Sequence, residues 1–453
     1  MKFLRLFRGQ TSCELFTLAA PLALQSLAYA LLGMIDRVMV GCLSENAIAA
    51  VGIGGQMMFF TTTLASAFAQ AGGILAAQMR GARDTAGLAS LTGTSLIITT
   101  IIGVGFSLLL IAVGLPVSLW LSNGNHEIAV VAANFLSLVT LTAPLVLLSF
   151  VITGIMRALG DTRTPLVSSL VALCVNTGLN FLLINGNLGF PRWGVTGAAI
   201  ATNTAQIAGF LVALIAFRRN YFSGYRFAFG HLRLLSSNLA GRITRLSIPI
   251  GLDGLFWQAA SLAYTRVVGL APGNALPAYF IFLGVRGLGY IPLGSLGNAA
   301  AIIVGKQLGA GHPRRASLAT RRAVSLSILS SLAMGFLYLL IADLYLRFFS
   351  VDAQTAASAA LLIRLFAIVL PFEAAIVTLS GVLRAGGDAF MVSLITFSTF
   401  WLIGIPGAWL LGVHLHIGLV GCFCGMAGES VAKSILFSRR EAGGRWARRL
   451  VLP

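Results

Sequence analysis

Two stretches decide the fold: GIMRALGDTRTP, residues 154–165, and GVLRAGGDAFMV, residues 381–392. They share the pattern Gly-x-x-Arg-x-x-Gly-Asp at a separation of 227 residues, each after about two dozen apolar residues. In the first, Gly160 suits the left-handed end of a helix. Asp161 suits the cap and positive end of the next helix, and Pro165 an early helical position. Arg157 and Arg384 are expected in the cytoplasmic head-group zone. The motif is therefore read as structural, a tight helix turn made at the same place twice.

The rest of the chain repeats in step. At an offset of 228, Pro21 meets Pro249, Gly41 meets Gly269, Asn46-Ala47 meets Asn274-Ala275, Gly81-Ala82 meets Gly309-Ala310 and Ser122 meets Ser350. At 227, Pro144 meets Pro371 and Asp161 meets Asp388. The two halves read as copies of one another.

Composition sets the medium. Of 453 residues, 57% are hydrophobic and 10% charged, with a mean hydropathy of +0.91, against about 25% charged residues in a soluble domain. Runs long enough to cross a hydrocarbon core as helices need about 20 residues. Twelve can be marked: 14–42, 46–74, 90–121, 127–156, 166–188, 193–217, 243–270, 275–304, 321–349, 354–383, 389–412 and 416–438. The amino-terminal run resembles a signal peptide at SLAYA but continues to Val40, and so reads as the first span.

The formal charge of +18 would suggest nucleic acid in a soluble chain; here it reports topology, and no nucleic-acid partner is expected. With the amino terminus inside, 25 of 31 basic residues fall in cytoplasmic segments, among them Lys2, Arg5 and Arg8. Both termini are then cytoplasmic. Arg37, Arg266, Arg286 and Arg364 fall within spans.

Six spans per copy give the copies the same orientation, related by a pseudo-two-fold axis along the membrane normal, with a substrate cavity between two rocking bundles. The expected fold is all-α. Its domains are residues 1–217 as the first six-helix bundle, 218–242 as a basic cytoplasmic linker, and 243–453 as the second bundle with a basic tail. A monomer in a lipid bilayer is expected. The five cysteines, Cys13, Cys42, Cys174, Cys422 and Cys424, sit in or beside apolar runs without metal spacing and read as packing residues.

These residues resemble the multidrug and toxic compound extrusion (MATE) transporters over essentially the whole chain. The resemblance rests on MIDRVMVG in span 1, QMRGA and KQLGAG after spans 2 and 8, the two opening motifs, and WGVTGAAIAT entering span 6. It implies export of cationic or amphipathic organic compounds in exchange for H+ or Na+, with no cofactor beyond that ion.

Carboxylates within spans are expensive and usually face a cavity. Four are candidates here: Asp36, Asp253, Glu373 and, nearer the inner end of span 12, Glu429. The resemblance assigns Asp36 to the ion site of the first bundle, supported from span 5 by Asn176 and Asn180. The family pattern has a second acid where Asn180 stands, which weakens the site for sodium. Glu373 matches the family's span-10 acid, while a family span-7 Glu is replaced by Gln258. Asp253 is a further ion-coupling candidate that would compensate for the missing charge, although it lies elsewhere on its helix, and Arg286 in span 8 is a candidate partner for Glu373 or Asp253. Tyr264 stands opposite Asp36 in the repeat, so the copies share a scaffold but not a charge pattern. Gln25, Gln56, Met57, Trp257, Tyr279, Tyr264, Gln258 and Arg286 are the expected cavity lining, a mix that suits varied ligands.

Other readings are weaker. GVRGLGY has no βαβ context, VGKQLG lacks the phosphate-loop spacing, and His414 and His416 have no third ligand nearby. A flippase for lipid-linked saccharide is the alternative, although extra spans would accompany it. An intramembrane enzyme would need a mid-span His or a Ser/Asp dyad, and a passive channel fits the unmatched acids poorly.

Overall fold

The computed structural model describes residues 10–41, 43, 45–122, 124–220, 224–272, 275–347 and 351–451. Lys2, Arg5, Arg8, Cys42, Asn274 and Ser350, and the side chains of Arg37, Asn46 and Ala47, lie outside what it describes. Among the described residues, twelve long helical segments follow one another. The first six are α1 (Gln10–Gly41), α2 (Glu45–Ala82), α3 (Thr85–Leu121), α4 (His126–Thr140 and Ala143–Ala158), α5 (Arg163–Leu183) and α6 (Gly194–Arg219). The second six are α7 (Ser237–Leu270), α8 (Ala275–Gly309), α9 (Pro313–Leu346), α10 (Ala353–Ala385), α11 (Ala389–His414) and α12 (Leu419–Ala442). Ten are single helices long and apolar enough to cross a membrane, and the bent pair α4 makes an eleventh. The twelfth, α7, has the length, but Asp253 and Gln258 interrupt its apolar stretch. The chain is an all-α, multi-pass membrane protein.

The chain divides into two compact units, residues 24–251 and residues 1–23 with 252–453. The amino-terminal part of α1 belongs with the second unit, and the start of α7 with the first. The two divisions, after Ala23 and after Gly251, are 228 residues apart, which is the offset of the repeat. In the second unit Leu15, Leu18 and Ala19 enter a core with Ala299, Ile303, Leu326 and Phe437, and Glu14 pairs with Lys306 at 3.3 Å.

The same helix crossing is built in each unit. In the first, a Cβ on Gly154 of α4 would stand 2.6 Å from the carbonyl oxygen of Ala69 on α2. In the second, a Cβ on Gly381 of α10 would stand 2.9 Å from the carbonyl oxygen of Gly297 on α8. Small residues permit such backbone contact, which drives helix packing where lipid offers no hydrophobic gain. The copies differ at their shared proline. Pro144 follows a 47° bend in α4, whose loosened carbonyls find partners: Asn203 Nδ2 donates to Leu138 O at 2.8 Å and Ser107 Oγ to Thr140 O at 2.7 Å. Around Pro371, α10 runs unbroken.

The opening motif turns as expected in both copies, with Gly160 at φ +96° and Gly387 at φ +86°. Asp161 caps α5, its Oδ1 accepting the N–H groups of Arg163 and Thr164 at 3.0 Å each. Asp388 does not cap. Its carboxylate is held by Arg440 of α12, through Nε at 2.6 Å and Nη2 at 3.0 Å. The carboxy-terminal segment explains why RALGD becomes RAGGD: the backbone and ring of buried Trp446 press on Gly386, where the first copy carries Leu159.

The expected linker packs on α3 and α6. Phe229–Arg233 form a short helical turn whose His231 carbonyl lies against Gly93 of α3. Ser90 Oγ donates to Leu234 O at 3.1 Å, and Phe227 stacks on Phe217 of α6 at 5.1 Å. Burial pushes the Tyr225 hydroxyl up to about 12, so it stays protonated beside His231 Nδ1, 3.2 Å away.

Candidate functional site

The predicted residues fall into two groups, one in each unit. In residues 24–251, α1 carries Asp36 and α5 carries Asn176 and Asn180 one turn apart, so both amides share a face. Asn180 Nδ2 donates to Asp36 Oδ1 at 2.5 Å and to Asn176 Oδ1 at 3.0 Å. Both amide hydrogens are thereby used, and the buried Oδ1 of Asn180 has no partner among the described residues. Asn176 Nδ2 reaches Thr202 Oγ1 of α6 at 3.5 Å. Thr202 closes the WGVTGAAIAT motif, and nothing in the sequence marked it beyond its place there. The arrangement leaves acceptor oxygens beside a half-buried carboxyl group, which can take a proton or a small cation.

Gln25 is buried, its Nε2 donating to Pro165 O at 3.3 Å. Met57 is buried and Gln56 exposed.

In the second unit α7, α8, α10, α11 and α12 enclose a cavity of about 360 Å³. Trp257, Tyr264, Tyr279, Arg286 and Glu373 all line it, as do Phe366, Phe400, Glu429 and Ser430. Glu373 accepts from Tyr290 Oη at 2.6 Å and Ser430 Oγ at 2.8 Å. Arg286 donates to Tyr290 Oη at 3.2 Å and stands 3.8 Å from Glu373 Oε1. Arg286 is thus the partner of Glu373. Asp253 pairs with Arg384 of the second opening motif and takes no part in the cavity. Gln258, half-buried on α7, does not line it either.

Sequence reasoning missed Lys433. It pairs with Glu429 one turn before it on α12, a Glu-to-Lys i,i+4 spacing that was visible. Its ammonium lies 3.7 Å over the ring centre of Phe400. Phe400 opens a π-helical turn, Phe400–Gly404; no sequence signal announces it, and such turns often mark functional positions. Gly404 is pressed by the Tyr264 hydroxyl and by Glu429, so the widened turn lets three helices meet there.

A duplicated all-helical membrane scaffold, with polar clusters buried in each copy, is the architecture of a transport protein. The chain belongs to the MatE family, whose model matches twice, over residues 21–182 and 249–410. Those two matches are offset by the same 228 residues. The chain is 25% identical to the probable multidrug resistance protein NorM of Thermotoga maritima, over 97% of this chain and 94% of that protein. It is 29% identical to the multidrug resistance protein PmpM of Pseudomonas aeruginosa, over 88% and 84%. In fold it is similar to a MOP superfamily transporter from Pyrococcus furiosus, with a TM-score of 0.87 at 20% identity over 98% of this chain and 99% of that one. It is likewise similar to an outward-facing multidrug resistance MATE family transporter, with a TM-score of 0.86 at 20% identity over the same shares.

Proposed function

We propose that the chain is a secondary active exporter of the bacterial cytoplasmic membrane, both termini inside, that expels small organic compounds in exchange for H+ or Na+ by rocker-switch alternating access. Asp36 is the coupling group. The observation that carries this is the Asp36–Asn180–Asn176 cluster, in which a carboxyl group is held by an amide whose own carbonyl oxygen has no partner among the described residues. Family membership and the multidrug resistance names of the relatives support the export reading. Glu373 is the second coupling candidate, with Tyr290 and Ser430 fixing its carboxylate. The organic compound and the coupling ion are the ligands; no cofactor is needed.

The test is dye transport in everted vesicles under an imposed proton or sodium gradient. Asp36→Asn is expected to abolish gradient-driven movement, and Glu373→Gln to reduce it. Parental transport by both variants would show the site assignment to be wrong while leaving family membership intact.

A further inference from the structure

We propose that a basic pocket beside the start of α9 binds the phosphate group of an anionic phospholipid. The start of α1, the end of α8 and the start of α9 enclose a cavity of about 470 Å³ in the second unit. With both termini inside, it opens at the cytoplasmic leaflet. Its wall carries three bases, Lys306, Arg315 and Arg322, against one acid, Glu14. Lys306 takes that acid at 3.3 Å. Arg322 donates to the Thr11 hydroxyl at 3.0 Å, and neither arginine has a carboxylate partner among the described residues. The nine residues before α1, MKFLRLFRG, hold three bases and no acid, so they bring no counter-charge.

Like charges gathered on one wall repel, and an anion seated among them turns that repulsion into attraction. Two forked guanidinium groups suit phosphate, whose several oxygens can accept from both at once.

The repeat shows that this charge is particular to the second copy. At the offset of 228, Lys306, Arg315, Leu318 and Arg322 correspond to Gln78, Gly87, Ser90 and Thr94, all uncharged. In the first unit the chain itself covers that face of α3. Ser90 and Thr94 donate to Leu234 O at 3.1 and 3.4 Å, and Ser236 N donates to Thr94 Oγ1 at 3.2 Å. The linker backbone thus occupies the groove in one copy, whereas the matching face of α9 is exposed at Arg315, Leu318 and Arg322.

Leu318 points to the source of the phosphate. It stands between the two arginines on one face of α9, at spacings of three and four, and is 56% exposed. A ligand held there meets charge and apolar surface together, which a phospholipid satisfies and free phosphate does not. Basic pockets between helices on the cytoplasmic side are a recurrent form of lipid headgroup site.

Native mass spectrometry of the purified full chain, titrated in detergent with dioleoyl phosphatidylglycerol or dioleoyl phosphatidylcholine, tests this by resolving the first lipid bound. Wild-type protein is expected to hold the first phosphatidylglycerol about tenfold or more tightly than phosphatidylcholine. Arg315→Gln/Arg322→Gln should remove that preference and leave phosphatidylcholine binding unchanged. Arg219→Gln/Arg233→Gln, which takes the same charge from exposed arginines of the first unit, should keep it. Ammonium phosphate in tenfold molar excess over the lipid should not displace bound phosphatidylglycerol. Equal binding of the two lipids by wild-type protein, an undiminished preference in the first double variant, or an equal loss in the second would overturn the proposal. Displacement by phosphate would overturn it too, by assigning the pocket to a free anion.

Discussion

At the scale of single residues, what distinguishes the second unit is that every buried acid has a base. Glu429 and Lys433 are almost fully enclosed. In such a pair the attraction roughly offsets the loss of hydration, while removing one member strands a charge at a cost of about 3–5 kcal/mol. Lys433→Met alone is therefore expected to lower the melting temperature of the purified protein markedly, and Glu429→Gln added to it to restore most of the loss. Equal melting of the single and double variants would show that the pair carries no such coupling. Asp36 contrasts with this, since an amide rather than a base holds it. The sequence showed that contrast only in part. The family resemblance pointed to Asn176 and Asn180, and their one-turn spacing puts both on one face of α5, but the partners of Asp253 and Arg286 depended on which helices become neighbours, and helical periodicity carries no such information.

At the scale of elements, glycine decides how near two helices come. Adding side-chain bulk at Gly154 meets backbone, which cannot rotate away. Overpacking costs about 1–3 kcal/mol, more than the roughly 1 kcal/mol that leaving glycine returns in helix propensity. Gly154→Val and Gly381→Val should each lower thermal stability, whereas Gly178→Ala, with open space on α5, should not; melting curves of the three compare them directly. Both crossing glycines were legible, because the repeat placed them at matching positions. The π-helical turns of α11 and the Trp446 contact were not. A π turn leaves the apolar pattern of its helix unchanged, and the room made by Gly386 has meaning only once the tail lies upon it.

At the scale of the whole molecule, the basic residues predict which ends face the cytoplasm. In a cysteine-free background, Asn187→Cys, between α5 and α6, is expected to react with an impermeant maleimide in intact cells. Asn220→Cys, just after α6, should react only once the membrane is opened; the reverse pattern would invert the topology. The repeat made the number of helices and their order readable, but not which unit the amino-terminal part of α1 packs with. Residues 1–23 belong with 252–453. During synthesis, then, residues 15–19 must wait without their neighbours until α8, α9 and α12 have been made. The unit of 24–251, by contrast, has all of its residues once the start of α7 has been made.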